Sequence, residues 1–101
     1  MMAEDTSPAE SNAAIPFPTL TILYAPVEAA AVIEEISQKY PNMTVEDCTG
    51  FFHGSKRQYK KVTVWSQGID GLWLDAIVAR TKELASVEYI NVVSGGMMHV
   101  L

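Results

Sequence analysis

Residues 43–67 read MTVEDCTGFFHGSKRQYKKVTVWSQ. Met43 to Phe52 is a β-prone run in which Gly50 marks a kink or bulge. His53 to Gln58 is a polar connector holding one glycine. From Tyr59 to Gln67 the chain alternates, with Lys61, Thr63 and Trp65 on one side and Val62 and Val64 on the other. Two such runs joined by a short glycine-containing loop predict a β-hairpin. With a hairpin fixed at the middle of the chain, what flanks it decides the fold.

Upstream, Thr19 to Ala25 (TLTILYA) is β-branched and aromatic, bounded by prolines, and reads as a strand. Its apolar groups fall on both faces, Leu20, Ile22 and Tyr24 against Leu23, which suits a central strand. Pro26 fits the first turn of a helix, where a missing N–H costs nothing. Ala29, Val32, Ile33, Ile36 and Tyr40 then recur at helical spacing, predicting a helix over 27–40 that Pro41 ends. Downstream, Asp70 is an N-cap candidate for a helix over Leu72–Ala85, with Leu72, Trp73, Ala76, Ile77 and Leu84 as the inner face. Val87–Val93 reads as a strand, Ser94–Gly95–Gly96 as a turn and Met97–Leu101 as a short terminal strand. The order βαββαβ plus an extension predicts an α+β, ferredoxin-like antiparallel sheet with both helices on one face. The other face is left with Trp65, Phe52, Tyr59 and the methionine pair, so self-association or a bound partner is expected.

At 101 residues the chain holds one domain: residues 1–18 are expected to be a flexible tail, and 19–101 the folded part. With 49% apolar and 19% charged residues it is neither a disordered nor a membrane-embedded composition. No apolar run approaches the ~20 residues of a membrane span. A net charge of −5 argues against nucleic-acid binding. The acidic N-terminus lacks a signal-peptide core, and the single Cys48 fits a reducing compartment, so a cytoplasmic location is expected.

No constellation points to catalysis, and no cofactor is expected. Glu46 and Asp47 are adjacent and on a strand point to opposite faces, which favours solvated strand charges or a hairpin salt link over an acid–base pair. No serine sits in an elbow motif, and Cys48 lacks a partnering histidine at a familiar spacing. Cys48, His53, Met97, Met98 and His99 are soft-metal ligand types that could hold copper if brought together, without matching a zinc spacing. The strongest feature is charge. Four of the seven Lys and Arg residues lie in one stretch, Lys56, Arg57, Lys60 and Lys61. A basic hairpin suits a small anion or an acidic partner, and equally serves to block sheet-to-sheet aggregation.

From Thr19 onward the chain resembles the PII-like (nitrogen-regulatory PII) signalling superfamily. Met43-Thr44-Val45 leading to Thr49-Gly50-Phe51 is similar to that family's second strand and the base of its T-loop. Lys61–Trp65, Leu72–Leu84 and Glu88–Val93 are similar to the following strand, helix and strand. The resemblance implies a homotrimer that binds an effector, such as an adenine nucleotide or bicarbonate, in clefts between subunits and modulates a target protein. It places Thr44, Gly50 and Phe51 at the cleft, with Lys56, Arg57, Lys60 and Lys61 as effector or partner contacts. The T-loop is cut down to His53–Tyr59, Leu84–Glu88 lacks the family's glycines and lysines, and His99 stands where C-terminal arginines are usual. Those departures favour a smaller anion or a monophosphate nucleotide over a triphosphate. Val45–Phe52 also resembles a segment of the coupling proteins of di-iron monooxygenases. Ala85–Ile90 with the preceding helix is similar to NapD-like chaperones of twin-arginine signal peptides. Either would make the protein a cofactor-free, protein-binding accessory.

Overall fold

A computed structural model describes residues 19–52 and 54–101. The expected tail over 1–18 and the metal candidate His53 lie outside the described residues. In chain order the elements are β1 (Thr19–Pro26), a 3-10 turn (Val27–Ala29), α1 (Val32–Lys39), β2 (Met43–Phe52), β3 (Ser55–Ser66), α2 (Gly71–Ala85), β4 (Asn91–Ser94) and β5 (Met97–Val100). The strands form one five-stranded open sheet in the order β2-β3-β1-β4-β5, every neighbouring pair antiparallel. The protein is therefore α+β, with two helices over an antiparallel sheet.

Strand alternation sorts the core. Leu23 faces Val62 on one side and Val92 on the other. These three, with Ala25 and Val64, form a buried cluster with Val32 and Ile36 of α1 and Ile77 and Val78 of α2. Side chains on a pleated strand point alternately up and down, so Ile22, Tyr24, Trp65, Val93 and Met98 belong to the opposite, helix-free face. There Trp65 stays 46% and Met98 55% exposed. An uncovered sheet face was expected, and Trp65 and Met98 lie on it; Met97, opposite Ser94, is in register with the helix side instead.

Four boundaries differ from expectation, each for a local reason. Pro26 keeps extended dihedrals (φ −54°, ψ 148°) and pairs with Tyr59, so it ends β1 instead of starting a helix. The first helix is consequently split into a 3-10 turn and a short α1. Ala29, fully buried against α2, has no side chain beyond Cβ to hold the two elements apart. In α2 the buried face is Ile77, Val78, Thr81 and Ala85; of the expected stripe Ile77 lies on it and Trp73 packs against it, whereas Leu72 is 84% exposed and Leu84 is exposed as well. Asp75, Arg80, Lys82 and Glu83 share the opposite side of the helix, and Leu72, in the first turn, falls on that charged side. Thr81 tolerates full burial because its hydroxyl donates to the Ile77 carbonyl at 2.7 Å. The hairpin is tighter than the sequence suggests. Its ladder closes at Phe52↔Ser55, and Gly54 takes φ +80°, a conformation that glycine adopts freely. Finally, 87–90 is not a strand. Helix α2 ends on Ser86 at φ 55°, and regular pairing to β1 starts with β4. Ile90 nonetheless exchanges two backbone hydrogen bonds with Leu101, at 3.0 and 2.9 Å, which ties down the chain end.

Asp70 caps α2 as its type predicts. Its carboxylate accepts from the N–H groups of Leu72 (3.1 Å) and Trp73 (3.2 Å), and its own N–H donates to the Tyr40 hydroxyl at 3.0 Å. Tyr40 meets Trp73 edge-to-face with ring centroids 5.0 Å apart. The end of α1 and the start of α2 are thereby joined. No described helix is long and apolar enough to cross a membrane.

Candidate functional site

Strand β1 ends at the Pro26↔Tyr59 pair, but the β2–β3 ladder runs on for four more pairs, Thr49↔Gln58 to Phe52↔Ser55. Those residues form a two-stranded arm reaching roughly 13 Å past the end of β1, at about 3.4 Å per residue. Among the described residues the core cluster does not extend beneath the arm, in keeping with a β3 half (SKRQ) that is polar on both faces. On the other side of β1, the irregular segment 87–90 leaves the end of α2 and feeds β4. Arm and segment flank a cleft of about 910 Å3. Tyr24, Pro26 and Glu28 line its β1 side, Arg57 and Tyr59 the arm side, and Glu88, Tyr89 and Asn91 the far side.

Arg57 anchors the arm. Its guanidinium donates to the Ala85 carbonyl at 3.2 Å and lies 3.4 Å from the Glu28 carboxylate. A cation on one of the last carbonyls of α2 is favoured by the helix dipole and satisfies an acceptor that the helix leaves without an internal partner. The Glu28 carboxyl is held below the ordinary glutamate value, chiefly by a hydrogen bond with its own backbone; burial opposes this, and the Arg57 hydrogen bond and charge add to the lowering.

Gly50 acts through a neighbour. A β-carbon built there would stand 2.7 Å from a ring carbon of Tyr59, so the absence of a side chain lets the Tyr59 ring lie over the β2 backbone. The glycine that reads as a kink is thus the seat of a cleft aromatic.

The expected site residues separate in space. Lys56 and Arg57 line the cleft. Lys60 is ion-paired with Asp47, the hairpin salt link, and Lys61 stands opposite Glu46. Phe51 projects from the arm, 71% exposed, opposite Lys56. Thr44 pairs with Thr63, six residues from Gly50, or about 20 Å along the strand. The metal candidates separate as well. Cys48 is on β2 at one edge of the sheet, while Met97 and His99 are on β5 at the other. Four strand spacings of about 4.8 Å lie between the two edges. Among the described residues, no three His, Cys, Asp or Glu side chains come close enough to share a metal ion.

Five lining residues carry no signal in the sequence: Tyr24, Glu28, Glu88, Tyr89 and Asn91. Reading 87–93 as one strand placed Glu88 and Tyr89 in a ladder, whereas the αL residue Ser86 turns them toward the arm's side of the molecule. Comparison with known proteins adds no name to this geometry, since no family model, curated protein or solved structure matches the chain.

Proposed function

We propose that the protein is a small PII-like regulator of ferredoxin-like fold that binds an anionic effector in the cleft between the arm and the α2–β4 connection. The observation that carries this reading is the position of Arg57. It is a cleft cation that also joins the arm to the end of α2, so an anion arriving there acts on the element most exposed to a partner. The strand order, with a helix in each crossover, supports the fold. The helix-free apolar face supports assembly into a homotrimer, because a surface carrying Ile22, Trp65, Val93 and Met98 gains by removal from water. The effector is a small anion, and the arm contacts the regulated protein.

A thermal-shift panel of adenosine monophosphate, ATP, bicarbonate and copper, each against buffer, tests the reading. A ligand at ~100 times its dissociation constant stabilises the fold by about 2.7 kcal/mol, several degrees for a domain of this size. The expected result is a shift with an anion that Arg57→Ala abolishes. A shift with copper alone moves the function to Cys48 and the Met97–His99 strand, in which case two copies must meet. A flat panel favours the second reading, a protein-binding accessory module. The exposed Phe51 on a projecting arm speaks for that alternative.

A further inference from the structure

The chemistry of the cleft walls narrows what can occupy it. Three tyrosines line it, Tyr24, Tyr59 and Tyr89. Tyr24 and Tyr59 are half-buried, and the latter is seated on Gly50. Aromatic walls in a concave site favour a flat apolar ring, which they remove from water with little loss of side-chain freedom. The charged lining balances, with Lys56 and Arg57 against Glu28 and Glu88. Arg57 already shares its guanidinium between Glu28 and the Ala85 carbonyl. Lys56 lines the cleft as well, but strand neighbours leave on opposite sides, so the two cations meet an occupant from different directions. The cleft therefore offers one anchored fork donor, the Lys56 ammonium, the Ser55 hydroxyl and the Asn91 amide, with a carboxylate, Glu88, that repels excess negative charge.

We propose that the occupant is a planar aromatic molecule bearing a single negative charge, of the aromatic carboxylate class; this rests on the effector reading above and specifies its ligand. The carboxylate meets Arg57, whose planar fork matches its two oxygens, and the ring lies among the tyrosines. A phosphomonoester carries about −1.5 to −2 near neutral pH and a triphosphate more, and each added charge meets a lining whose two cations, Lys56 and Arg57, are already matched by Glu28 and Glu88.

The test is calorimetric titration of the full chain with five probes: indole-3-acetate, indole, acetate, adenosine monophosphate and ATP. Indole-3-acetate is expected to bind about tenfold or more tighter than either indole or acetate alone, and tighter than ATP. Glu88→Lys, in an exposed non-strand segment, is expected to reverse the last preference, and Tyr89→Ala to weaken indole-3-acetate while leaving acetate unchanged. If adenosine monophosphate or ATP binds wild type more tightly than indole-3-acetate, the charge assignment is overturned while the effector cleft stands. If acetate equals indole-3-acetate, the ring assignment is overturned. Silence from all five probes, with the protein folded, removes the effector reading itself.

Discussion

Gly50 and Arg57 show how single residues in the arm shape the cleft from outside and inside it. In a strand, valine is ordinarily preferred to glycine, so Gly50→Val should stabilise a bare hairpin. Here the new side chain must displace the Tyr59 ring. The variant is expected to lose about 1–3 kcal/mol, as overpacked sites do, measured by urea denaturation, and to weaken any cleft ligand. A gain in stability would show that the ring moves freely and that Gly50 has no role in seating it. Arg57→Ala removes a half-exposed hydrogen bond and ion pair, and about 1 kcal/mol is the expected loss once solvent screening is allowed for. Glu28 supplies the sign of a pH effect. A carboxyl whose folded value is depressed adds stability above its unfolded value and loses it as pH falls through the folded one. The difference in Tm between wild type and Glu28→Gln should therefore shrink as the pH drops below the ordinary glutamate range. A difference that stays constant down to strong acid would exclude the Glu28 contribution.

At the scale of elements, the sequence was most informative where one residue type has one job. Asp70 reads as an N-cap and is one; Asp70→Ala is expected to cost about 1 kcal/mol, again by urea denaturation, and an unchanged midpoint would mean that the Tyr40 hydroxyl, accepting from the backbone N–H of residue 70, holds the helix start without it. Val62 and Val64 alternate with Lys61, Thr63 and Trp65 and stand on the core side of β3 as that alternation implies. The second helix was legible as a helix and, through Ile77 and Trp73, in part as a face. Its charges, Asp75, Arg80, Lys82 and Glu83, mark the outer side, and the expected stripe missed Val78 because it ran through Leu72 and Ala76, which lie among those charges. The arm was legible as a hairpin and not by length. Its polar residues look like a loop because the described core cluster does not extend beneath them, although their backbones are paired from Phe52↔Ser55 onward.

Among the described residues, one sheet face is left uncovered and both sheet edges are unpaired. The uncovered face should assemble. Light scattering is expected to give three times the chain mass for wild type, and the single chain mass for Trp65→Glu with Met98→Glu, which lie outside the cleft and outside the core. A wild-type monomer would remove the trimeric part of the proposal while leaving the cleft of a single chain open to test. At the edges, β5 is short, and β2 carries Glu46 and Asp47, which discourage pairing with a further strand.

The sequence alone determined the hairpin, the strand before it, the helix cap at Asp70, the glycine turn before Met97 and the α+β class. All of these rest on contacts within a few residues, or on periodicity that the local backbone enforces. The tertiary structure decided where β4 starts, and that Lys56 and Arg57 share a cleft with Glu28, Glu88 and three tyrosines while Thr44, Lys60 and Lys61 do not. Those outcomes depend on segments far apart in the chain meeting across β1. The charge of a residue is written in its own side chain, but what it faces is written in the register of strands tens of residues away.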